Sequence, residues 1–409
     1  MEKPLKKYVT VAKQGQLIQN RKMVKSQNPK ISLVIPMYNE EKNILTVIRS
    51  IENQSLEDIE IVCVNDNSND NTLSLLKNLQ KDDPRITIIT NKSNRGVIYN
   101  RIYGALKSKG EYVTFIDADD ALCNINILEK AYNIATKEHN EKIDIVHYQT
   151  CGSEINANGE FGPFLLITTF NPNNFNQVIR KPEIGDNYFQ KKKNITGSGF
   201  VFDKIYSRSL IKRAADYIGA DVWNQNLIFV DDFLLAFAVM KMADSIVNIG
   251  EIGYYHLFDT ATSTTSNVWK IKDNKLVNPV KSNKKIGDYF IILERMLQLT
   301  DEEPGSEEFR EFALRKLGED VYLKAIARSI HFDRYLYLCE RFIKWKYITK
   351  EAKERTLRFM KRILSYKIDI EDKYDYIVNE KKNKNKKESD EEDDIDDSNS
   401  IINEGVADL

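Results

Sequence analysis

Short apolar segments alternate with amphipathic segments from about residue 30 to residue 148. The apolar segments are rich in isoleucine and valine, which is typical of buried strands. They predict strands at Ile31–Ile35, Ile59–Val64, Ile86–Ile89, Tyr112–Ile116 and Ile143–Tyr148. Between the first two, apolar residues recur at helical spacing behind Glu40 and Glu41, which predicts a helix. Because strands that alternate with helices build parallel sheets, this region is predicted to be an α/β domain with a mostly parallel, Rossmann-like central sheet flanked by helices.

The rest of the chain is less regular. Residues 150–200 are rich in asparagine, glycine and proline, and helical patterns follow near Ser209–Ala215 and Phe233–Met242. Residues 271–380 are predicted to be mainly helical, because apolar residues recur there at helical spacing with few strand signals. Residues 381–409 join a run of lysines to a run of acidic residues, which predicts a disordered charged tail.

The overall composition excludes several classes of protein. Lys and Arg number 60 against 61 Asp and Glu, so the chain lacks the basic field of a nucleic-acid-binding protein. Its four cysteines include no Cys-x-x-Cys pair, which argues against a zinc site or a disulfide framework and favours a reducing compartment. The longest apolar segments, such as Phe233–Met240, are shorter than the roughly 20 residues that cross a bilayer, so no transmembrane segment is predicted.

The N-terminal arm, residues 1–29, is basic and contains a single acid, Glu2. No apolar segment follows its first lysines, so no secretory signal is predicted. A cytoplasmic location is expected on these grounds. The positive charge of the arm leaves a peripheral contact with a membrane surface open.

Polar side chains follow three of the predicted strands at their carboxyl ends, where open parallel sheets place their ligand crevice. The three turns are Pro36–Glu40, Asn65–Thr72 and Asp117–Asp120. The second turn is equally well explained as a polar turn that caps the helix beginning near Thr72, because Asn, Asp and Ser serve both purposes. Both interpretations stay open from the residues alone.

Three carboxylates fall within four residues in the last of these turns, at Asp117, Asp119 and Asp120. They repel one another unless a cation or hydrogen-bond donors offset the charge. Mg²⁺ and Mn²⁺ take oxygen ligands and commonly bind one or two carboxylates together with substrate phosphates. The spacing therefore suits a divalent metal bound with a nucleotide diphosphate, and a solvated turn is the alternative.

Four segments in this order resemble the family 2 glycosyltransferases. The segments are Ile31-Ser-Leu-Val-Ile-Pro-Met-Tyr-Asn-Glu-Glu41, Val64-Asn-Asp-Asn-Ser68, Asn94-Arg-Gly96 and Phe115-Ile-Asp-Ala-Asp-Asp120. The resemblance implies a GT-A fold over residues 30–270, with a nucleotide-binding half at 30–125 and an acceptor half at 126–270. It also implies an enzyme that moves one sugar from a nucleotide-sugar, expected to be a UDP-sugar, to the hydroxyl of a glycan, protein or lipid acceptor, with inversion at the anomeric carbon.

The same resemblance implies roles for the residues after the strands. Residues that correspond to those holding the nucleotide in the family are Pro36, Tyr38, Glu40, Asp66, Asn94 and Arg101. Asp66 would bind the base, whereas Arg101 would either reach a phosphate or anchor an acid. The chain departs from the family at Asn65 and Asn67, where Asp and Gly are usual. Asn67 is expected to keep the turn because asparagine adopts the left-handed conformation at modest cost.

The resemblance makes Asp119 the expected ligand of Mn²⁺ or Mg²⁺, with Asp117 near the ribose and the metal and Asp120 as a further candidate ligand. Such a cation would offset the charge that develops on the departing nucleoside diphosphate. Asp232 is the expected general base, with Asp231 beside it, because the family places an acidic pair at a helix start. An ordinary helix N-cap is the alternative for this pair.

Two further residues are candidates for contact with the diphosphate. His256, in a segment that resembles the aromatic strand and Ser/Thr-rich loop of the family, would touch a phosphate or the metal, and a structural histidine is the alternative. Lys204 would lie near the phosphates, and a surface lysine is the alternative. A non-enzymatic alternative for the whole chain is a degenerate transferase domain that acts as a nucleotide-binding or scaffold protein.

Overall fold

The chain forms two compact units, Met1–Ala313 and Leu314–Leu409, in a computed structural model. The structure describes residues 22–154, 165–167, 174–181, 184, 200–227, 231–258, 270–272, 275–277, 286–302, 310, 314, 330–358 and 361. Most of the predicted N-terminal arm and the whole of the predicted tail lie outside these residues. No helix within the described ranges is long and apolar enough to cross a membrane.

The first unit alternates strands with helices as the sequence pattern predicts. Its strands are β1 (Ile31–Met37), β2 (Ile59–Asn65), β3 (Ile86–Thr90), β4 (Tyr112–Phe115), β5 (Ala121–Leu122), β6 (Ile145–Glu154), β7 (Leu165–Leu166), β8 (Val178–Arg180), β9 (Lys204–Ser207), β10 (Ser245–Phe258), β11 (Lys270–Lys272) and β12 (Lys275–Val277). Its helices are α1 (Ile44–Glu52), α2 (Thr72–Asp82), α3 (Val97–Lys107), α4 (Ile127–Thr136), α5 (Arg208–Ile218), α6 (Ala220–Trp223), α7 (Asp231–Met242) and α8 (Ile286–Leu299).

Ten strands among the described residues form one sheet in the order β3-β2-β1-β4-β9-β6-β10-β5, with β7 paired to β6 and β8 to β10. β3, β2, β1 and β4 are mutually parallel, as are β6 and β10. β9 lies antiparallel between β4 and β6. The predicted mostly parallel sheet is confirmed, and the antiparallel β9 is a feature that the sequence pattern did not predict.

Close packing of α3 on β1 and β2 fixes the helix that begins at the carboxyl edge of the sheet. A Cβ atom on Gly104 would lie 2.6 Å from Cγ1 of Val34 and 2.9 Å from Cγ2 of Val64, well inside van der Waals contact. Ile98 and Ile102 on the same helix are fully buried. Glycine at this position lets α3 pack directly against the strands. This packing fixes the polar residues of α3 near the carboxyl ends of the strands.

A second glycine, Gly96, is required at the start of this helix. Its φ of +81° is a conformation that other residues rarely adopt, and a Cβ atom there would lie 2.6 Å from the backbone oxygen of Leu227. The Asn224–Leu227 segment therefore packs directly on the turn before α3. This contact joins residues that lie in the two predicted halves of the domain.

Three charged or titratable side chains lie wholly inside the sheet between β6 and β9. Nε2 of His147 is 3.0 Å from Oδ2 of Asp203, and the ammonium of Lys204 is paired with Oδ1 of the same carboxylate. The Lys204 ammonium also donates to the backbone oxygen of Phe200 at 2.8 Å. Thr150 donates to Asp203 at 3.3 Å. Lys204 is therefore a buried partner of Asp203 and not a surface lysine.

The second unit contains α9 (Ile330–Ile343) and a further helix over 350–358. Leu338, Cys339 and Phe342 of α9 are fully buried, and Ala352 is buried as well. Together with α8 of the first unit, these helices confirm the predicted helical C-terminal region. The short antiparallel pair β11–β12 lies at the start of this region, which was predicted to be mainly helical.

Replacing His147 is expected to weaken the pH dependence of stability. Burial lowers the pKa of His147 to about 4 against the opposing attraction of Asp203, so below about pH 6.5 the unfolded chain binds a proton that the folded chain does not. The free energy of unfolding therefore falls as the pH drops from about 6.5 towards 4, by up to about 1.4 kcal/mol per pH unit from this group. His147→Gln should lose this contribution.

Urea unfolding at a series of pH values between about 4.5 and 7.5 measures the effect. His139→Gln is the matched control, because His139 lies in the turn after α4 and outside the buried network. That variant should keep the wild-type slope of unfolding free energy against pH. An unchanged slope in His147→Gln would contradict the prediction.

Candidate active site

The turns after β1 and β2 are joined by side-chain hydrogen bonds at the carboxyl edge of the sheet. The backbone N–H of Asn39 donates to Oγ of Ser68 at 3.0 Å, and the N–H of Asn69 donates to Oδ1 of Asn39 at 2.8 Å. The N–H of Glu40 donates to Oγ1 of Thr72 at 2.8 Å. Side chains of the second turn therefore serve mainly to bind the first turn, which accounts for their polar character.

Asn67 has a φ of 60°, the left-handed conformation expected for it, and Asn39 has the same value. The cap interpretation of the second turn is partly correct, because Oδ1 of Asp70 accepts from the N–H of Thr72, the first residue of α2, at 3.0 Å.

Beside this pair of turns, the ring of Tyr38 is 45% exposed and Pro36 is half-buried. These two residues offer an apolar face to a ligand above the strand ends.

Asp66 is buried and organises the loop that leads into α3. Its Oδ1 accepts from the amide of Asn91 and from the N–H of Arg95, each at 2.8 Å, and its Oδ2 accepts from the N–H of Gly96 at 3.0 Å. Asn91 also donates to Oδ1 of Asn100 on α3 at 2.7 Å. The carboxylate thus ties β2 to β3 and α3 at the carboxyl edge of the sheet.

The sequence pattern did not point to the Asn224–Leu227 segment, which covers this loop. The guanidinium of Arg95 donates to the backbone oxygen of Asn224 at 3.0 Å and lies 4.3 Å from the ring centre of Tyr99. The amide of Asn226 donates to the backbone oxygen of Asn94 at 3.3 Å. Asn94 is therefore part of a contact between two loops, with Asn226 as its partner.

Arg101 binds two carboxylates that lie far apart in sequence. One terminal nitrogen donates to Asp117, which follows β4, and the other donates to Asp232, in the first turn of α7. These partners are 16 and 131 residues away along the chain. The Arg101 side chain is 4% exposed, whereas Asp117 and Asp232 are 23% and 27% exposed. The carboxylates therefore reach the surface of the site with the guanidinium behind them.

Of the other acids in the site, Asp120 is directed inward. The hydroxyl of Tyr254 donates to its Oδ2 at 2.7 Å, and Nδ1 of His256 lies 2.9 Å from the same oxygen. Its side chain is fully buried. Tyr254 also accepts from the N–H of Asp117 at 3.0 Å, so this network holds the turn after β4. Nδ1 of His256 also lies 3.1 Å from Oδ1, so both oxygens of the buried carboxylate contact partners inside the fold, and Asp120 is not retained as a metal ligand.

His256 is held against Asp120 and the ring of Phe202, whose centre is 5.6 Å away. Burial lowers the pKa of His256, but the attraction of Asp120, Asp117 and Asp119 outweighs this effect and raises it to about 9. The imidazole is therefore a cation at neutral pH. With 27% of its side chain exposed, it supplies positive charge near the turn after β4.

Asp119 lies in the most acidic part of the site. Burial raises its pKa to about 8, and Asp120, Asp117 and Glu40 add to the effect while His256 opposes it. Burial likewise raises the pKa of Glu40, against the hydrogen bond from the amide of Asn43. Ionisation of Asp119 is therefore unfavourable among the acids that surround it.

A hard divalent cation fits this charge distribution. Among the described residues, no three His, Cys, Asp or Glu side chains form a metal-binding group. A cation at Asp119 would therefore take most of its ligands from a substrate or from water, as Mg²⁺ does when it binds a nucleotide diphosphate. The acidic surroundings of Asp119 favour such a cation because it would relieve the repulsion.

α7 begins at Asp231 and carries Asp232 one residue further on. Residues 228–230 and the side chain of Asp231 lie outside the described residues, so the helix-cap alternative for Asp231 remains a prediction. Asp232 is ion-paired with Arg101. The expected donor-binding acid Asp117 and the expected base Asp232 thus meet at one guanidinium.

Residues 32–214 match the family model described as Glycosyl transferase family 2. A GalNAc(5)-diNAcBac-PP-undecaprenol beta-1,3-glucosyltransferase from Campylobacter jejuni is 42% identical over 95 residues, which are 23% of this chain and 31% of that protein. A poly(ribitol-phosphate) beta-glucosyltransferase from Bacillus spizizenii is 35% identical over 146 residues, 35% of this chain and 22% of that protein. The chain thus spans a third or less of the length of these two relatives.

Among solved structures, residues 1–349 of S. aureus TarS in complex with UDP-GlcNAc superpose with a TM-score of 0.55 at 18% identity. The likeness covers 83% of this chain and 92% of that one. At this identity it establishes the fold, which is of the GT-A type. Residues 32–214 are therefore identified as a family 2 glycosyltransferase domain.

Proposed function

We propose that this protein is a glycosyltransferase that moves one sugar from a nucleotide-sugar, a UDP-sugar, to an acceptor hydroxyl. The observation that carries the proposal is the meeting of Asp117 and Asp232 at Arg101. A transfer reaction needs the donor close to the group that activates the acceptor. The ion pairs of one arginine with two acids that are 115 positions apart in the sequence support such an arrangement. The family 2 match of residues 32–214 and the UDP-GlcNAc bound in the TarS structure support the choice of donor.

The nucleoside would lie on the paired turns after β1 and β2. Tyr38 and Pro36 offer exposed ring surface, and Glu40 lies beside them. Asp66 would lie at the base end of the nucleoside. It would also support the site indirectly, because its hydrogen bonds with the N–H groups of Arg95 and Gly96 fix the loop beneath the nucleotide. A preformed site of this kind lowers the entropic cost of binding the nucleotide.

Asp119 would hold the cation, Mn²⁺ or Mg²⁺, together with the donor diphosphate, and Asp117 would lie near the ribose and the metal. When bound, the cation would offset the negative charge that develops on the departing UDP. The His256 imidazolium, fixed by Asp120, would add positive charge at the same end of the site.

Asp232 would take the proton from the acceptor hydroxyl as the acceptor oxygen bonds to the anomeric carbon. The bond from that carbon to the diphosphate oxygen breaks, and UDP leaves with the electron pair. Attack from the face opposite the diphosphate inverts the anomeric configuration. The part-exposed carboxylate of Asp232 is suited to this role, because it is open to an acceptor on one side and held by Arg101 on the other.

The acceptor would be a glycan carried on a lipid or a polymer. The names of the relatives, an undecaprenol-linked glucosyltransferase and a poly(ribitol-phosphate) glucosyltransferase, support this class. A cytoplasmic protein that acts peripherally at a membrane would reach such an acceptor. The basic arm, residues 1–29, would assist by attraction to anionic lipid.

UDP with Mn²⁺ is expected to raise the melting temperature of the wild-type protein. A ligand present at about 100 times its dissociation constant stabilises the folded state by about 2.7 kcal/mol. Differential scanning fluorimetry measures the shift, with ADP and Mn²⁺ as the control because the paired turns should select the uracil base. The absence of a shift with UDP would favour a scaffold without a nucleotide site.

Asp119→Asn is expected to abolish metal-dependent UDP release without lowering stability. The amide is neutral and avoids the cost of keeping an acid among the surrounding carboxylates, so the melting temperature should stay level or rise, while UDP release should fall on the order of 10²-fold or more. Release is measured with and without Mn²⁺ on a panel of UDP-sugars, with water as acceptor. Asp82→Asn, an exposed acid at the end of α2, is the matched control and should behave as wild type.

Asp232→Asn is expected to lower UDP release by roughly 10²–10⁴-fold, because the amide cannot accept the acceptor proton. Binding of UDP, measured by calorimetry, should change little because the donor contacts remain. The control is Asp216→Asn, which removes an exposed carboxylate from α5. Wild-type turnover in Asp232→Asn would make this residue a structural acid instead of the base.

A further inference from the structure

Arg101 lies on a helix that packs closely on the sheet beneath the site. Gly104, one turn further along α3, packs on Val34 and Val64, and the neighbouring Asn100 accepts from Asn91 in the Asp66 network. The guanidinium is therefore attached to a rigid helix beneath the site. Its two bound carboxylates come from two other elements, the end of β4 and the first turn of α7.

The planar fork of an arginine side chain suits this arrangement. Its two terminal nitrogens point in fixed directions and can each bind a separate carboxylate, which a lysine ammonium on a flexible stem does less well. By binding Asp117 and Asp232 together, Arg101 sets the distance between them. It also offsets two negative charges that would otherwise repel each other across the site.

Burial distinguishes this role from direct contact with the donor. Arg101 is 4% exposed and lies behind carboxylates that are 23% and 27% exposed. A residue that binds phosphate from solution must present its nitrogens to the ligand, and here both terminal nitrogens are directed to Asp117 and Asp232. The side chain is thus placed to act through the two acids.

We propose that Arg101 is a positioning residue for sugar transfer, which holds the base Asp232 at a fixed place relative to the donor-binding Asp117, and that it is not a ligand of the diphosphate. This inference rests on the proposed function, in which Asp232 is the base. Arg101 then governs the rate of the chemical step and leaves the affinity for the nucleotide nearly unchanged. A displacement of the base by about 1 Å is enough to cost about 10²-fold in rate.

The test compares wild type, Arg101→Lys and Arg101→Gln in two measurements. Calorimetry with UDP and Mn²⁺ gives the dissociation constant, and UDP release from whichever of UDP-glucose and UDP-GlcNAc the wild type hydrolyses gives kcat and KM. We expect the dissociation constant and KM to change less than about threefold, kcat to fall about 10²-fold in Arg101→Gln, and Arg101→Lys to recover part of the loss. A tenfold weaker binding of UDP with kcat preserved would overturn the proposal and make Arg101 a phosphate ligand.

A double variant tests whether Arg101 acts through Asp232. If it does, Arg101→Gln/Asp232→Asn should release UDP no more slowly than Asp232→Asn alone, within about threefold, because the base is already lost. Losses that multiply would overturn the proposal. If Arg101→Gln does not fold, the same comparison is made with Arg101→Lys, which keeps the charge.

Arg85→Gln is the matched control for loss of a buried ion pair. Arg85 is buried and paired with Asp83 at 2.8 Å, before β3 and away from the site. That variant should lower the melting temperature and leave kcat per folded molecule unchanged. Failure of wild type to bind UDP or to release it would overturn the proposed function and this inference with it, whereas an active wild type with an unchanged kcat in Arg101→Gln would overturn the inference alone.

Discussion

The need to balance negative charge at the carboxyl edge of the sheet shapes the whole site. The carboxylates that lie there include Glu40, Asp66, Asp117, Asp119, Asp120 and Asp232. The fold neutralises most of them by separate means, which are backbone N–H groups for Asp66, a guanidinium for Asp117 and Asp232, and an imidazolium with a tyrosine hydroxyl for Asp120. Asp119 is left with a raised pKa. The raised pKa means that ionisation of Asp119 is unfavourable in this cluster, and a bound cation would relieve that cost.

Local sequence patterns were sufficient to predict the four parallel strands β1 to β4. β1, β2, β3 and β4 are apolar segments, and a buried parallel strand needs nothing more than such a segment between two polar turns. The left-handed conformation of Asn67 also follows from residue type alone. Antiparallel β9 was not predicted, because pairing with both β4 and β6 depends on partners that no local pattern reveals.

The roles within the site were harder to predict for the same reason. Asp117, Asp119 and Asp120 look equivalent in the sequence, but successive residues point in different directions, so one meets Arg101, one stays in the acidic cluster and one is buried on His256. Arg101 itself sits at an ordinary helical position. Its role depends on contact with Asp232, which lies 131 residues away in the sequence. A single sequence does not show which distant residues are in contact.

Burying charged side chains lowers the stability of this domain compared with apolar residues at the same positions. Lys204 and Asp203 are fully buried, and Arg101 nearly so, although replacement of buried ion pairs by apolar residues is often neutral or stabilising. A buried charge has one property that an apolar side chain lacks, since its partner cannot move away without leaving it unpaired. Arg101 would use this property to link an acid of the donor site to an acid of the acceptor site. The buried ion pairs would then fix the positions of the two acids during transfer, at the expense of some stability.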